Sequence, residues 1–246
     1  MVSCDLNCDM GEAIGNDAEL MPYISSANIA CGYHAGNDEV MKESILLCLQ
    51  HNVSIGAHPS YPDKKNFGRK ELNLLIGEVY QIVKDQVQLL KLITQSEGTI
   101  LHHVKPHGAL YNYAARHRET AKAIVNAIID VDPRLIVYGL SNSFLITEAE
   151  AIGLKAANEV FADRTYQDDG TLTPRKNKDA LIESVEESVK QVMQMITDGK
   201  VRTITGNNIA IKADTICIHG DGQNAVPFAR MIYKTLQKHQ IEIKTI

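Results

Sequence analysis

Along the chain, short apolar runs rich in Val, Ile and Ala alternate with longer stretches whose apolar residues recur every three to four positions. Runs of the first kind lie at 3–8, 27–32, 53–58, 99–105, 135–140, 155–162 and 213–219, and several predict strands covered on both faces. Stretches of the second kind predict helices. Ala121, Ile124, Val125, Ile128 and Ile129 form one stripe, and Leu181, Val185, Val189, Val192, Met193 and Ile196 form another. Glu183, Glu186, Glu187 and Lys190 fall on the opposite side of that second helix, as a solvated face. Val79, Ile82, Val83, Leu90 and Ile93 mark a long helix, and Ala225, Ala229, Ile232 and Leu236 mark the last.

Repeated strand-then-helix order predicts parallel strands joined by right-handed crossovers. Seven such strands in 246 residues suit an α/β fold of the parallel β/α-barrel type, distorted TIM-like and closed or nearly closed, with a doubly wound open sheet as the other arrangement. No low-complexity linker or fixed-period repeat interrupts the pattern, so residues 1–246 read as a single barrel domain. The polar stretch 165–178 reads as a loop over one barrel mouth, and 199–212 as a small hairpin around Gly206-Asn207-Asn208.

Charge and composition narrow the function. Twenty-five basic against 30 acidic residues give a net charge of −5, without the basic stripe that nucleic-acid binding needs. The absence of Trp and an aromatic content of 5% offer no base-stacking platform. The N-terminal residues carry no signal-peptide pattern, and no apolar run is long enough to span a bilayer. Five cysteines at dispersed positions, without a Cys-x-x-Cys pair, read as reduced thiols of a cytoplasmic protein, with Cys31 and Cys217 as core residues.

In parallel β/α folds the working residues gather where strands end. Here the strand ends lead into Asp9 and Glu12, into His34, into His58, into Lys105 and His107, into Asp163 and Arg164, and into His219 and Asp221. Only the fifth strand delivers almost nothing charged. Alternation along the fourth places His103, Lys105 and His107 on one face and His102 on the other. Pro106 cannot donate to a ladder, so that strand ends near it. A lysine in a barrel mouth needs a carboxylate partner, for which Asp9, Asp163 and Asp221 are candidates. Asp221, between Gly220 and Gly222 before a helix near Asn224, suits an anion at a helix N-terminus or simply a tight turn. Asp9, His34 and His58 are weak candidates for a metal set, because their spacing matches no local motif. No His-Glu-x-x-His, Gly-x-Ser-x-Gly or P-loop sequence is present.

The strand-end segments carry a resemblance. Asp5-Leu6-Asn7-Cys8-Asp9-Met10-Gly11-Glu12, Ser25 through Gly36, and Gly56-Ala57-His58-Pro59 resemble the LamB/YcsF family. So do Val104-Lys105-Pro106-His107-Gly108-Ala109-Leu110-Tyr111-Asn112, Glu159 through Arg164, and Cys217-Ile218-His219-Gly220-Asp221. The resemblance implies a seven-stranded β/α barrel like that of the polysaccharide deacetylases. It also implies the A-subunit role in a bacterial ATP-dependent 5-oxoprolinase, with 5-oxoproline as substrate, L-glutamate as product, two further subunits of B and C type, and ATP as co-substrate of the complex. The chain departs from the family pattern at Asn37-Asp38, where Asp38 is expected to cap the following helix, and at Lys70, which keeps charge but loses bidentate geometry.

For that reaction, Asp9 or His58 would serve as base, and Lys105 with Arg164 would hold a carboxylate or oxyanion. His107 or His219 would protonate the leaving nitrogen, with Asp163 in the same catalytic group. Glu12, His34, Arg164 and Asp221 would contact substrate, and a divalent metal is left open. Two other readings stay beside this one: a stand-alone metal-dependent deacetylase or amidohydrolase, and a non-catalytic subunit that binds oxoproline.

Overall fold

The first strand, β1 (Ser3–Met10), divides the molecule into two environments. Its Cys4, Leu6, Cys8 and Met10 belong to the apolar layer under the helices. Its Asp5, Asn7 and Asp9 instead hydrogen-bond across the inside of a barrel. The structure, a computed structural model, describes residues 2–13, 15–220 and 225–246. Asp221 and the glycine after it therefore lie outside the described residues.

After β1 the chain runs through α1 (Asp17–Leu20), β2 (Ser26–Ala30), α2 (Asp38–His51), β3 (Ser54–His58) and α3 (Ile76–Ser96). It continues through β4 (His103–Val104), α4 (Gly108–Arg116), α5 (Arg118–Val131), β5 (Ile136–Leu140), α6 (Phe144–Ala151) and β6 (Ala156–Phe161). Then come α7 (Val185–Asp198), β7 (Lys200–Arg202), β8 (Asn208–Ala210), β9 (Thr215–Ile218), α8 (Ala225–Lys238) and β10 (Glu242–Ile243). Parallel pairing follows the order β1-β2-β3-β4-β5-β6-β9, and β1 pairs again with β9 from Asp5↔Thr215 to Cys8↔Ile218. That last ladder closes a seven-stranded barrel and excludes the open sheet. The antiparallel β7–β8 pair is the hairpin expected in 199–212.

Two expectations need correcting, and two further features were not expected. The inner face of the strands is polar, with Asp5, Asn7, Ser26, Asn28, His103 and Glu159 buried there. The cap of α2 is Asn37, whose side chain accepts from the Val40 N–H, while Asp38 is the first helical residue. Leu181 lies outside α7 and bridges Arg164. Finally, β10 is too short, at two residues, to give a periodic signal. The carbonyls of Val2 and Cys4 accept from Glu242 and Lys244, as that of Leu6 accepts from Ser25. The C-terminal strand thus continues the place of β2 beside the start of β1.

Among the described residues, no helix is long and apolar enough to cross a membrane.

Candidate active site

At the C-terminal ends of the strands, three loops bring together side chains far apart in sequence. The turn after β2 carries His34, and the segment after β1 carries Glu12. They meet because Gly36, at φ +72°, passes so close to β1's continuation that a Cβ there would sit 2.9 Å from the Gly11 carbonyl oxygen. Past its regular hydrogen bonding, β4 still runs along β3. The N–H groups of Lys105 and His107 donate to the carbonyls of Ala57 and Pro59, skipping Pro106, which has none to give. This extension sets His107 beside His58.

The result is a buried group of three imidazoles and one carboxylate. Glu12 Oε1 lies 3.1 Å from His34 Nε2, 3.3 Å from His107 Nδ1 and 3.9 Å from His58 Nε2. His107 Nδ1 and His58 Nε2 are 2.9 Å apart. The His34 and His107 rings stack at 3.8 Å with 7° between planes, and Phe67 packs edge-on against both. Burial pulls His34 down to about 2 and holds His107 well below the usual histidine range. Asp9, expected with His34 and His58 in a metal set, stands beside this group rather than in it. Its Oδ2 is 3.4 Å from His58 Nε2, while its Oδ1 is held by Lys105 and Asn28.

Lys105 Nζ is the second centre. It is buried and lies 2.8 Å from Asp9 Oδ1, 2.9 Å from Glu159 Oε1, 3.0 Å from Cys217 Sγ and 3.3 Å from Asn7 Oδ1. Burial disfavours its charge, yet Asp9, Cys217 and Glu159 outweigh that and hold it well above the ordinary lysine value. Burial likewise disfavours the Asp9 carboxylate, and the adjoining Lys105 ammonium outweighs that and holds it well below the usual range. The Glu159 contact is an ion pair only, since neither of its oxygens accepts a well-angled hydrogen bond among the described residues. Of the expected lysine partners Asp9 is one and Asp163 is not, while Asp221 lies outside the described residues.

Asp163 pairs with His219 instead. Both of its oxygens lie 2.9 Å from His219 Nδ1, which directs the other ring nitrogen away from the pair. Burial pushes Asp163 up, and the adjoining His219 brings it below its ordinary value. Arg164 is committed in part to the covering loop: Nε donates to the Ala180 carbonyl at 3.2 Å and Nη2 to that of Thr173 at 2.6 Å.

These centres open onto one cavity of about 360 Å³. Asp9, Glu12, His58, Lys105, His107 and His219 line its floor, and residues of the 165–178 loop cover it, as that loop's polarity predicted. Arg69, Arg116, Arg164, Arg175 and Lys176 stand on its walls, with Glu71 as the one acidic residue there among the described residues. The mouth is therefore cationic and the floor is mixed.

Sequence reasoning missed Glu159, Cys217 and Ser60 as site residues, and it did not place the 66–69 segment over the imidazoles. Glu159 had a usable signal, because it is the one ionisable residue within the strand Ala156–Phe161 and shares strand parity with Phe161. Cys217 is buried, as expected, but faces Lys105 inside the barrel. Phe67, at φ +56°, and Gly68, at φ +62°, turn the chain sharply over the stacked imidazoles. A Cβ on Gly68 would lie 2.9 Å from His107 Cδ2. Nothing local in the sequence announces that contact.

Fold and site together define a closed β/α-barrel protein with a buried acid–base centre at the C-terminal strand ends. The chain belongs to the LamB/YcsF family, whose model matches residues 4–246. A relative from Shouchella clausii (strain KSM-K16), named as the A subunit of 5-oxoprolinase, is 51% identical over 249 residues, covering 99% of this chain and 98% of the relative. The crystal structure of a lactam utilization protein from Thermus thermophilus superimposes with a TM-score of 0.93 at 40% identity, over 100% of both chains. A family 4 carbohydrate esterase from Streptomyces lividans shares the fold alone, with a TM-score of 0.54 at 12% identity over 100% of this chain and 93% of the esterase.

Proposed function

We propose that this chain is the A subunit of an ATP-dependent 5-oxoprolinase, which hydrolyses 5-oxoproline to L-glutamate together with B- and C-type partner subunits. The observation that carries the reading is a single cavity with two distinct proton-handling groups on its floor, in a chain with a full-length relative of that name.

An unstrained five-membered lactam resists water because its amide carbonyl is a poor electrophile. ATP supplies the drive by forming a phosphorylated, activated species. The sequence carries no P-loop, so that step is assigned to the partners, and this chain performs or completes the hydrolysis. Asp9 is the base of choice, since its Oδ1 is anchored by Lys105 and Asn28 and Oδ2 remains to take a proton from water. His58 is a poorer choice, as both its nitrogens already face other groups. When the carbon–nitrogen bond breaks, the nitrogen needs a proton. His219, oriented by Asp163, supplies it in preference to His107, whose nitrogens face Phe67 and His58. Arg69, Arg164 and Arg175 give the substrate carboxylate its counter-charge.

The test is glutamate release from 5-oxoproline by this protein, alone and with both partners, with and without ATP. Turnover is expected only with partners and ATP. A folded chain with competent partners that releases no glutamate would overturn the substrate assignment and leave some other amide.

A further inference from the structure

The protonation of the three clustered imidazoles follows from what their outer nitrogens touch. His58 Nδ1 lies 2.7 Å from the Lys105 carbonyl oxygen, which can only accept, so Nδ1 carries the hydrogen. His107 Nε2 lies 2.9 Å from the Phe67 carbonyl and carries the hydrogen for the same reason. Ser60 Oγ donates to the Tyr61 carbonyl and therefore accepts from His34 Nδ1, at 2.9 Å. In each neutral ring the remaining nitrogen bears a lone pair, and those three nitrogens are the ones that face Glu12 Oε1. His107 Nδ1 and His58 Nε2 thus oppose two lone pairs at 2.9 Å. With a carboxylate oxygen among them, four electron-rich atoms converge within 4.8 Å of one another in a buried space. Such an arrangement is repulsive unless something positive sits between them.

We infer that Glu12, His34, His58 and His107 form a binding site for one divalent first-row transition cation. Three imidazoles and one carboxylate are a donor set for zinc, iron, cobalt or nickel rather than for magnesium or calcium, which prefer oxygen. The outer hydrogen bonds to Lys105, Phe67 and Ser60 are of the kind that fixes ligand tautomers in metal sites. A cation there would draw electron density from an oxygen in the cavity beside Asp9. The inference stands whether or not the amide is 5-oxoproline.

The test is the metal content of the full-length protein purified without chelator, followed by titration of the chelator-stripped protein with Zn²⁺ and with Co²⁺. About one cation per chain is expected, with Mg²⁺ failing to compete, and with a cobalt spectrum lacking a thiolate charge-transfer band. Glu12→Gln and His34→Gln should abolish tight binding. Should either fail to fold, Ser60→Ala, which removes no ligand atom, should weaken affinity about 10- to 100-fold with an unchanged circular dichroism spectrum. Cys217→Ser should leave it unchanged. A folded wild-type chain that takes up neither cation would overturn the site and leave a proton as the shared charge. A thiolate band, or loss of binding in Cys217→Ser, would also overturn it by moving the cation to Asp9, Cys217 and His219.

Discussion

The two ends of the barrel interior are both polar and both buried, yet they are built on opposite rules. Toward the N-terminal end, hydrogen bonds run in one direction. His103 donates to Asn28, Asn28 to Asn7, Asn7 to Thr215, and Thr215 to Asp5, whose other oxygen accepts from Ser25 and Ser26. Each donor meets an acceptor, and the carboxylate ends the chain with three hydroxyls. At the C-terminal mouth, four acceptor atoms face one another in place of donor–acceptor pairs. A satisfied network holds strands in register and needs no ligand. A converging set of acceptors is stable only because the surrounding structure holds it, and that is the mark of a working site.

Several experiments would break or sharpen that contrast. Asp9 joins the two regions, being tied to Asn28 below and open to the cavity above. Asp9→Asn should keep the fold and lower turnover in the reconstituted complex by roughly 10³-fold, within the range for a lost general base. Undiminished turnover would place the base elsewhere. In the lower region the sensitive point is Gly56, where a Cβ would lie 2.1 Å from His103 Nε2, in a ring stacked at 4.1 Å on Tyr138. Gly56→Ala should therefore cost about 3 kcal/mol in denaturant unfolding, the upper end of overpacking. A smaller loss would mean that His103 can leave its stack.

The mouth should respond to cation and the lower network should not. Zn²⁺ at a hundredfold over its dissociation constant should raise wild-type stability by about 2.7 kcal/mol. The same concentration should do correspondingly less in Ser60→Ala, while Gly56→Ala keeps the full increment; equal increments in all three proteins would detach the effect from the mouth. The smallest effect lies outside both regions. Asn37→Ala removes the side-chain cap of α2 and should cost about 1 kcal/mol, whereas Asp38→Ala should cost less. Equal costs would return the capping role to Asp38.

The sequence by itself determined the barrel. Strand and helix periods are local properties, and seven strands alternating with helices leave few ways to bury both sheet faces. It also determined that Asp9, His34, His58, Lys105, His107, Asp163 and His219 stand at strand ends. Which of these meet was decided only by the tertiary structure. Lys105 takes Glu159 as well as Asp9, and Asp163 turns to His219, because partners across a closed barrel depend on the stagger between strands, which no single strand encodes. The replacement of Asp9 by Glu12 and His107 around His34 and His58 has the same origin. It rests on Gly36 letting two loops touch and on a turn at Phe67 and Gly68 that caps the rings from a distant segment. Even the direction of the lone pairs comes from backbone carbonyls at Lys105 and Phe67, groups that every residue has and that only folding aims.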